Sequence, residues 1–335
     1  MFSLPVRRLT VVASAVLAAG LLAGCGGDSD DDQAGSANPF AEKAQFDEAT
    51  PRLEAAAKQA TADGDQATAD LLTRLDEVPT GIWLTPERYP TGSVGPFVSG
   101  VVQRAAGQTV PLFVVYGIPD RDCSGAFSAG GLTPETYLPW VQEIAAAAGD
   151  QSAVVVEPDA LPGVLACDTG GEEADQVRLD VMKGAVGAFA DAGTTTYVDA
   201  GHSDWIEPEQ MAPLLQQVGV DGVRGFSTNV ANYQPQANEI SFARRLSDLL
   251  GGAHYVIDTG RNGDPDGTTT PVSDWCNPSG RALGTEPGFV DDGTPLDAVL
   301  WIKPPAESDG TCHGGPTAGE VWIDRALALA EAAGW

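Results

Sequence analysis

Carboxyl groups recur at one kind of place in this chain: where a short apolar run ends. Pro111–Ile118 runs into Pro119-Asp120-Arg121-Asp122, and Ala153–Val156 into Glu157-Pro158-Asp159. Thr195–Val198 leads to Asp199 and then His202, and Val223–Phe226 to Ser227-Thr228-Asn229. His254–Ile257 leads to Asp258 and Arg261, and Ala298–Ile302 to Lys303, Glu307 and Asp309. Two carboxyl groups in different protonation states are what cleavage of a glycosidic bond requires: a protonated one for the leaving oxygen, an ionised one for water. Crowding supplies the difference, because neighbouring negative charge raises the pKa of one member. A lone strand-end aspartate is more often a helix cap or a loop acceptor. The same chemistry at the end of run after run is not explained that way.

Other chemistries fit poorly. Gly201-His202-Ser203 continues as Asp204-Trp205, so no G-x-S-x-G turn forms there, and no phosphate-binding glycine loop follows an apolar run. With no C-x-x-C, no H-E-x-x-H and three histidines in all, no metal site is expected. Asn262-Gly263-Asp264-Pro265-Asp266-Gly267 begins like a calcium loop but has Ser273 where the bidentate glutamate belongs, and reads as a turn. Indole rings stack on the apolar faces of sugars. Trp83, Trp205 and Trp275 stand beside the polar run ends as candidate platforms, Trp140 and Trp322 fall within helical periodicity as core, and Trp301 is left open.

The elements that must carry these residues alternate. Seven short runs rich in β-branched residues, beginning with Gly81–Leu84 and ending with Ala298–Ile302, are separated by segments of helical period. In 172–190, Ala174, Val177, Val181, Ala185 and Ala188 recur at that spacing; 237–250 and 319–333 behave alike. Strands apolar throughout, joined by helices, imply a parallel sheet covered on both faces. Seven such units suggest a closed or nearly closed barrel, whose strand C-termini converge on one face.

At 335 residues with 43% apolar content, the chain can bury one large α/β core, and its net charge of −29 excludes a nucleic-acid partner. Arg7 and Arg8 precede an apolar run, Leu9–Leu22, too short to span a bilayer comfortably, and Leu22-Ala23-Gly24-Cys25 has the form of a bacterial lipobox. The expected organisation is a lipoprotein signal peptide over 1–25, lipidation at Cys25, a flexible acidic tether over 26–37 and one domain over 38–335. The protein is then extracellular, lipid-anchored to the outer face of the bacterial cell membrane. Five cysteines less Cys25 leave Cys123, Cys167, Cys276 and Cys312, for which three disulfide pairings remain open.

Several segments together resemble glycoside hydrolase family 6. They are Val114 to Cys123, Val155-Val156-Glu157-Pro158-Asp159, Tyr197 to Ser203, Ser227 to Tyr233, Asp258 to Gly263, Trp275 to Arg281, and Trp301 through Gly310, in that family's order. Asn38-Pro39-Phe40 resembles the usual start of its catalytic domain. The resemblance implies a distorted seven-stranded parallel β/α barrel (TIM-like) and hydrolysis of β-1,4-glucan with inversion; no cofactor and a monomer are expected. By position Asp159 matches the general acid, and Asp122 the aspartate that holds the acid's pKa up. Asp309 matches the proposed base, which acts directly or through a chain of waters. Tyr116 and Ser128 match residues around the distorted sugar, and Lys303, Glu307, Asp199 and Arg261 match substrate-site or supporting positions. His202 and Asn229, with the platforms, complete the expected substrate-binding set. The family's cysteine pairing would be Cys123–Cys167 and Cys276–Cys312.

Little chain follows Asp309 to roof a cleft, and it includes the predicted helix 319–333. An open cleft, and so an endo-β-1,4-glucanase, is expected over a cellobiohydrolase of the same family or a non-catalytic glucan-binding lipoprotein.

Overall fold

A computed structural model describes residues 1–2, 37–119, 121, 131–167 and 170–335, and every element named below belongs to the unit Gln33–Trp335. Cys25, the tether over 26–36, Asp122, Cys123 and Ser128 lie outside the described residues.

The strands are β1 (Ile82–Leu84), β2 (Leu112–Val115), β3 (Ala153–Val156), β4 (Thr195–Asp199), β5 (Gly225–Thr228), β6 (His254–Asp258), β7 (Gly288–Phe289) and β8 (Leu296–Leu300). The helices are α1 (Pro51–Asp63), α2 (Gln66–Asp76), α3 (Val94–Ala105), α4 (Pro134–Ala148), α5 (Ala160–Ala166), α6 (Glu172–Asp191), α7 (Pro208–Val218), α8 (Gln236–Leu249) and α9 (Ile323–Ala332). One curled sheet has the order β1-β2-β3-β4-β5-β6-β8-β7, parallel throughout except for β7 against β8. Each of the seven predicted runs is a strand of this α/β sheet. The eighth, β7, is two exposed residues with no apolar alternation, so periodicity had nothing to report there.

The strands are buried on both faces because their residues divide by parity. Leu112 and Val114 of β2 point into the barrel with Val155, Tyr197, Val256 and Leu300. Phe113 and Val115 point out against the helices, with Val154, Trp140, Phe189 and Leu215. A third cluster joins α1, α2 and α9 to Trp301, which is fully buried.

The barrel does not close by a full ladder. β7 takes the free edge of β8 at Ala298 and Val299. Only beyond it does the first strand reach the last, through Gly81 N–H donating to Trp301 O at 2.8 Å. Glycine is required at 81, since a Cβ there would stand 2.3 Å from the Ile302 carbonyl oxygen. At the opposite end an ionic cluster fills the interior. Asp297 receives Arg224 through both oxygens (2.8 and 2.9 Å), Tyr197 Oη at 2.6 Å, and a contact with His254 Nδ1 at 2.9 Å.

Three helical expectations shift. α6 turns Val177 outward but buries Val181 and Ala185 as expected, with Met182, Val186 and Phe189 beside them. The final helix starts at Ile323, not 319, because residues 319–322 return antiparallel along 306–308. Ser308 N–H donates to Glu320 O and Gly319 N–H to Ser308 O, both at 2.9 Å, and Trp322 N–H donates to Ala306 O at 2.7 Å. Trp322, expected as core, is therefore a half-buried residue at the helix start, whereas Trp140 is fully buried as expected.

Candidate active site

At the C-terminal end of β3 the chain turns sharply through Glu157 (φ 49°) and Asp159 (φ 70°), two non-glycine residues in the left-handed region flanking Pro158. Such backbone costs about 1–3 kcal/mol per residue and persists only where its surroundings hold it. Glu157 is one of the holders. Its buried carboxyl accepts Gly117 N–H (3.0 Å), Ile118 N–H (3.1 Å) and Tyr137 Oη–H (2.8 Å), and burial pushes it up to about 7 despite those donors. Asp199 is the other: its Oδ2 accepts the backbone N–H of Asp159 at 2.9 Å and of Gly201 at 3.1 Å. Burial, and next the charge of Asp159, hold Asp199 well above the usual carboxylate range. Asp159 itself is half-buried and lines the cleft.

Across the sheet, Asp309 sits after β8 in a different setting. Arg261 donates to its Oδ1 at 2.7 Å, while Tyr233 Oη–H (2.6 Å) and Asn277 N–H (3.0 Å) donate to Oδ2. Burial pulls its pKa up, but the charges of Arg261 and Lys303 and these donors outweigh it, and the group is held below its ordinary value. Asp309 is thus a permanent anion at neutral pH. Asn277 closes the arrangement by accepting Asp309 N–H at 3.0 Å, and Cys276, its neighbour, is disulfide-bonded to Cys312. The second expected disulfide, Cys123–Cys167, has one member outside the described residues.

Asp258, at the end of β6, is a buried backbone clamp. It accepts N–H groups from Ala231, Gly260 and Lys303 at 2.9–3.0 Å, so tying the β5, β6 and β8 ends together. Lys303 then pairs with Glu307 at 3.0 Å, with its ammonium 4.9 Å from the Trp83 ring centre.

These ends surround a cleft of about 890 Å³. Trp83 is fixed by Nε1–H to Ile302 O (3.0 Å) and meets Tyr116 edge-on at 5.4 Å. His202 and Trp205 stand together on the wall, with ring centres 5.5 Å apart. Burial pushes His202 down to about 4, so its ring is neutral at neutral pH; Nδ1 accepts Asp204 N–H at 3.3 Å, leaving the proton on Nε2. Trp275 is 42% exposed at the rim.

Of the expected site residues within the described chain, Trp83, Tyr116, Asp159, His202, Trp205, Trp275, Lys303, Glu307 and Asp309 line this cleft. Asp199, Arg261 and Asn229 lie beneath it. Asn229 departs most from expectation: it is fully buried, its amide donating to Asp258 O at 2.8 Å and accepting Gln234 N–H at 3.0 Å. Its neighbours Ala231 and Asn232 reach the cleft instead. Sequence reasoning missed Tyr233 and Asn277 as partners of Asp309, although both lie inside the quoted motifs. It also missed Thr317–Glu320 on the rim, since a helix was expected over part of that stretch.

The description "Glycosyl hydrolases family 6" matches residues 40–333. Endoglucanase A of Cellulomonas fimi is 38% identical over 280 residues, covering 83% of this chain and 59% of that one. Endoglucanase A of Thermobispora bispora is 37% identical over 287 residues, covering 84% and 60%. The chain thus spans about 60% of the length of these curated relatives. The endoglucanase Cel6 from Mycobacterium tuberculosis, solved with a methyl-cellobiosyl-4-deoxy-4-thio-β-D-cellobioside, superposes with a TM-score of 0.80 at 38% identity, over 89% of this chain and 100% of that one. With its motifs in order on one curled parallel sheet, this chain belongs to glycosyl hydrolases family 6.

Proposed function

We propose that this protein is an inverting endo-β-1,4-glucanase. The observation that carries the reading is the pairing, on one aromatic-lined cleft, of Asp159 with an Asp309 carboxylate that Arg261 keeps ionised. Asp159 gives its proton to the glycosidic oxygen as the bond to the anomeric carbon breaks. Water attacks that carbon from the opposite face, so a β-linked substrate yields an α product. The oxygens of Asp309 are already occupied by Arg261, Tyr233 and Asn277, and such a carboxylate takes up a proton poorly. The attacking water's proton therefore passes through intervening water to solvent, drawn by the Asp309 charge, which also stabilises the positive charge that develops on the sugar. Asp122, by its place in the motif, is the aspartate that holds up the acid's pKa.

Trp83, Trp205 and Trp275 act as stacking platforms for successive glucose rings. Lys303, Glu307 and the Nε2–H of His202 supply polar contacts to hydroxyls. Exposed residues on the cleft wall, Asp204, Trp275 and Glu320, support access for the middle of a polymer chain. The expected experiment is viscometry of a soluble cellulose derivative: viscosity falls well before reducing ends accumulate. Viscosity that falls only in step with reducing ends contradicts internal cleavage.

The lipobox supports lipidation at Cys25 and anchoring at the outer face of the cell membrane. Among the described residues no helix is long and apolar enough to cross a membrane. Labelling with radioactive palmitate is expected in the full chain and absent in Cys25→Ser; equal labelling of both contradicts the assignment.

A further inference from the structure

Glu239 lies in the first turn of α8 and is fully buried, yet no chemical step above uses it. Burying a carboxyl is costly without a task for it to perform. Its Oε1 accepts the backbone N–H of Ser203 at 2.8 Å. Ser203 is the residue between His202 and Asp204 in the turn that leaves β4. The other polar contacts made by backbone N–H groups at 202–205 are internal to the turn: Trp205 N–H to His202 O at 3.1 Å and Asp204 N–H to His202 Nδ1 at 3.3 Å. Preceding residues are tied to the sheet, Ala200 N–H to Ser227 O and Asn229 N–H to Gly201 O. Gly201 (φ 74°) then swings the chain outward, close over Pro162 of α5 and the Trp205 ring.

The tip that carries His202 and Trp205 into the cleft is therefore held from below by one carboxyl oxygen on another element. We propose that Glu239 is a positioning residue for glucan binding, fixing the turn that presents His202 and Trp205 to the sugar. The inference rests on the cleft's being the glucan site. The hydroxyls of Ser203, in the turn, and of Thr228, at the end of β5, also face the Glu239 carboxyl and favour its ionised form, so it joins the turn after β4 to the end of β5. A glutamine presents the same acceptor to Ser203 N–H, whereas an alanine leaves that N–H unanswered and removes the support.

The test compares wild type, Glu239→Ala and Glu239→Gln on cellohexaose, with kcat and KM measured separately. It adds the affinity of cellotetraose by titration calorimetry. In Glu239→Ala, KM and the cellotetraose dissociation constant are expected to rise about 5- to 20-fold while kcat stays within about 3-fold, one lost hydrogen bond being roughly this size. Glu239→Gln is expected to restore both to within about 2-fold. Wild-type KM and affinity in Glu239→Ala would overturn the proposal, as would a Glu239→Gln variant no better than Glu239→Ala at matched folded fraction. Failure of the glucan-site reading is distinguishable, because wild type itself would then neither bind cellotetraose nor cleave cellohexaose.

Discussion

The side chain of Asp199 holds Asp159 by its backbone: Asp199 Oδ2 accepts the Asp159 N–H at 2.9 Å. The same oxygen takes Gly201 N–H, so one buried carboxyl aligns the turn after β3 with the turn after β4. This contact, with the Glu157 carboxyl, helps hold the turn in which the proposed proton donor takes its left-handed backbone.

Replacing Asp159 with asparagine removes the proton but keeps the shape. kcat on cellohexaose is expected to fall by at least about 10³-fold with cellotetraose affinity unchanged, a loss in the range assigned to general acids. Asp199→Ala leaves two N–H groups without their acceptor, at about 1–3 kcal/mol each. Its kcat is expected to drop about 10- to 100-fold with a small change in KM, because the donor's geometry is lost and the platforms stay.

Tyr233→Phe removes the 2.6 Å donor to Asp309 and keeps the ring under Arg261, whose guanidinium carbon lies 4.5 Å from its centre. Losing a hydrogen bond to the ionised form raises the carboxyl's pKa. The acid limb of the kcat profile is expected to move to higher pH, with kcat at its optimum down roughly 3- to 10-fold. An unshifted acid limb would mean that Asp309's ionisation does not govern the rate.

Burial raises Glu239 to about 7 in the fold from an ordinary 4.5. A carboxyl raised on folding makes the native state bind the extra proton, so its contribution is largest below about 4.5 and is lost as pH rises through about 7. The slope is about 1.4 kcal/mol per pH unit within that window. His202, lowered to about 4, runs the other way: stability is full above its unfolded value and is lost as pH falls toward 4. Comparing Glu239→Gln with wild type cancels His202 and isolates the glutamate. The variant's melting temperature is expected to gain on wild type between about pH 5 and 7 and to level off above that; a constant difference contradicts the assignment.

The Cys276–Cys312 bond ties the segment bearing Trp275 and Asn277 to the loop after Asp309. Cys276→Ser with Cys312→Ser is expected to cost about 4 kcal/mol in denaturant unfolding, as loop-closure entropy suggests for a separation of 36 residues. It should also raise KM more than it lowers kcat, since Trp275 loosens first.

The parallel strands were legible because each is three to five mostly apolar residues and most run into a carboxyl or a hydroxyl, a pattern that buried parallel strands impose on sequence. The placement of Asp159, Asp309, Trp83 and Lys303 around one cleft was legible through the strand ends and the motifs. What sequence could not separate was a carboxyl that faces the cleft from one that grips backbone. Glu157, Asp258 and Glu239 have the same chemistry as Asp159, and only the direction of each side chain sorts them. Asn229 failed for that reason: its left-handed backbone (φ 62°) turns the amide toward Asp258 O and away from the cleft. The return of 319–322 along 306–308 was hidden because edge pairing is set by long-range contact and leaves no local period.

The most direct test of the central claim is the anomeric form of the first product. A soluble fragment of residues 38–335 would be incubated with a defined β-1,4-gluco-oligosaccharide and the new reducing end followed by proton NMR before mutarotation. The expected result is early accumulation of the α-anomer, with water attacking opposite Asp159. Early accumulation of the β-anomer would contradict the account, because retention needs a carboxylate that attacks the sugar, and Asp309, locked by Arg261 and Tyr233, could not be assigned the role given it here.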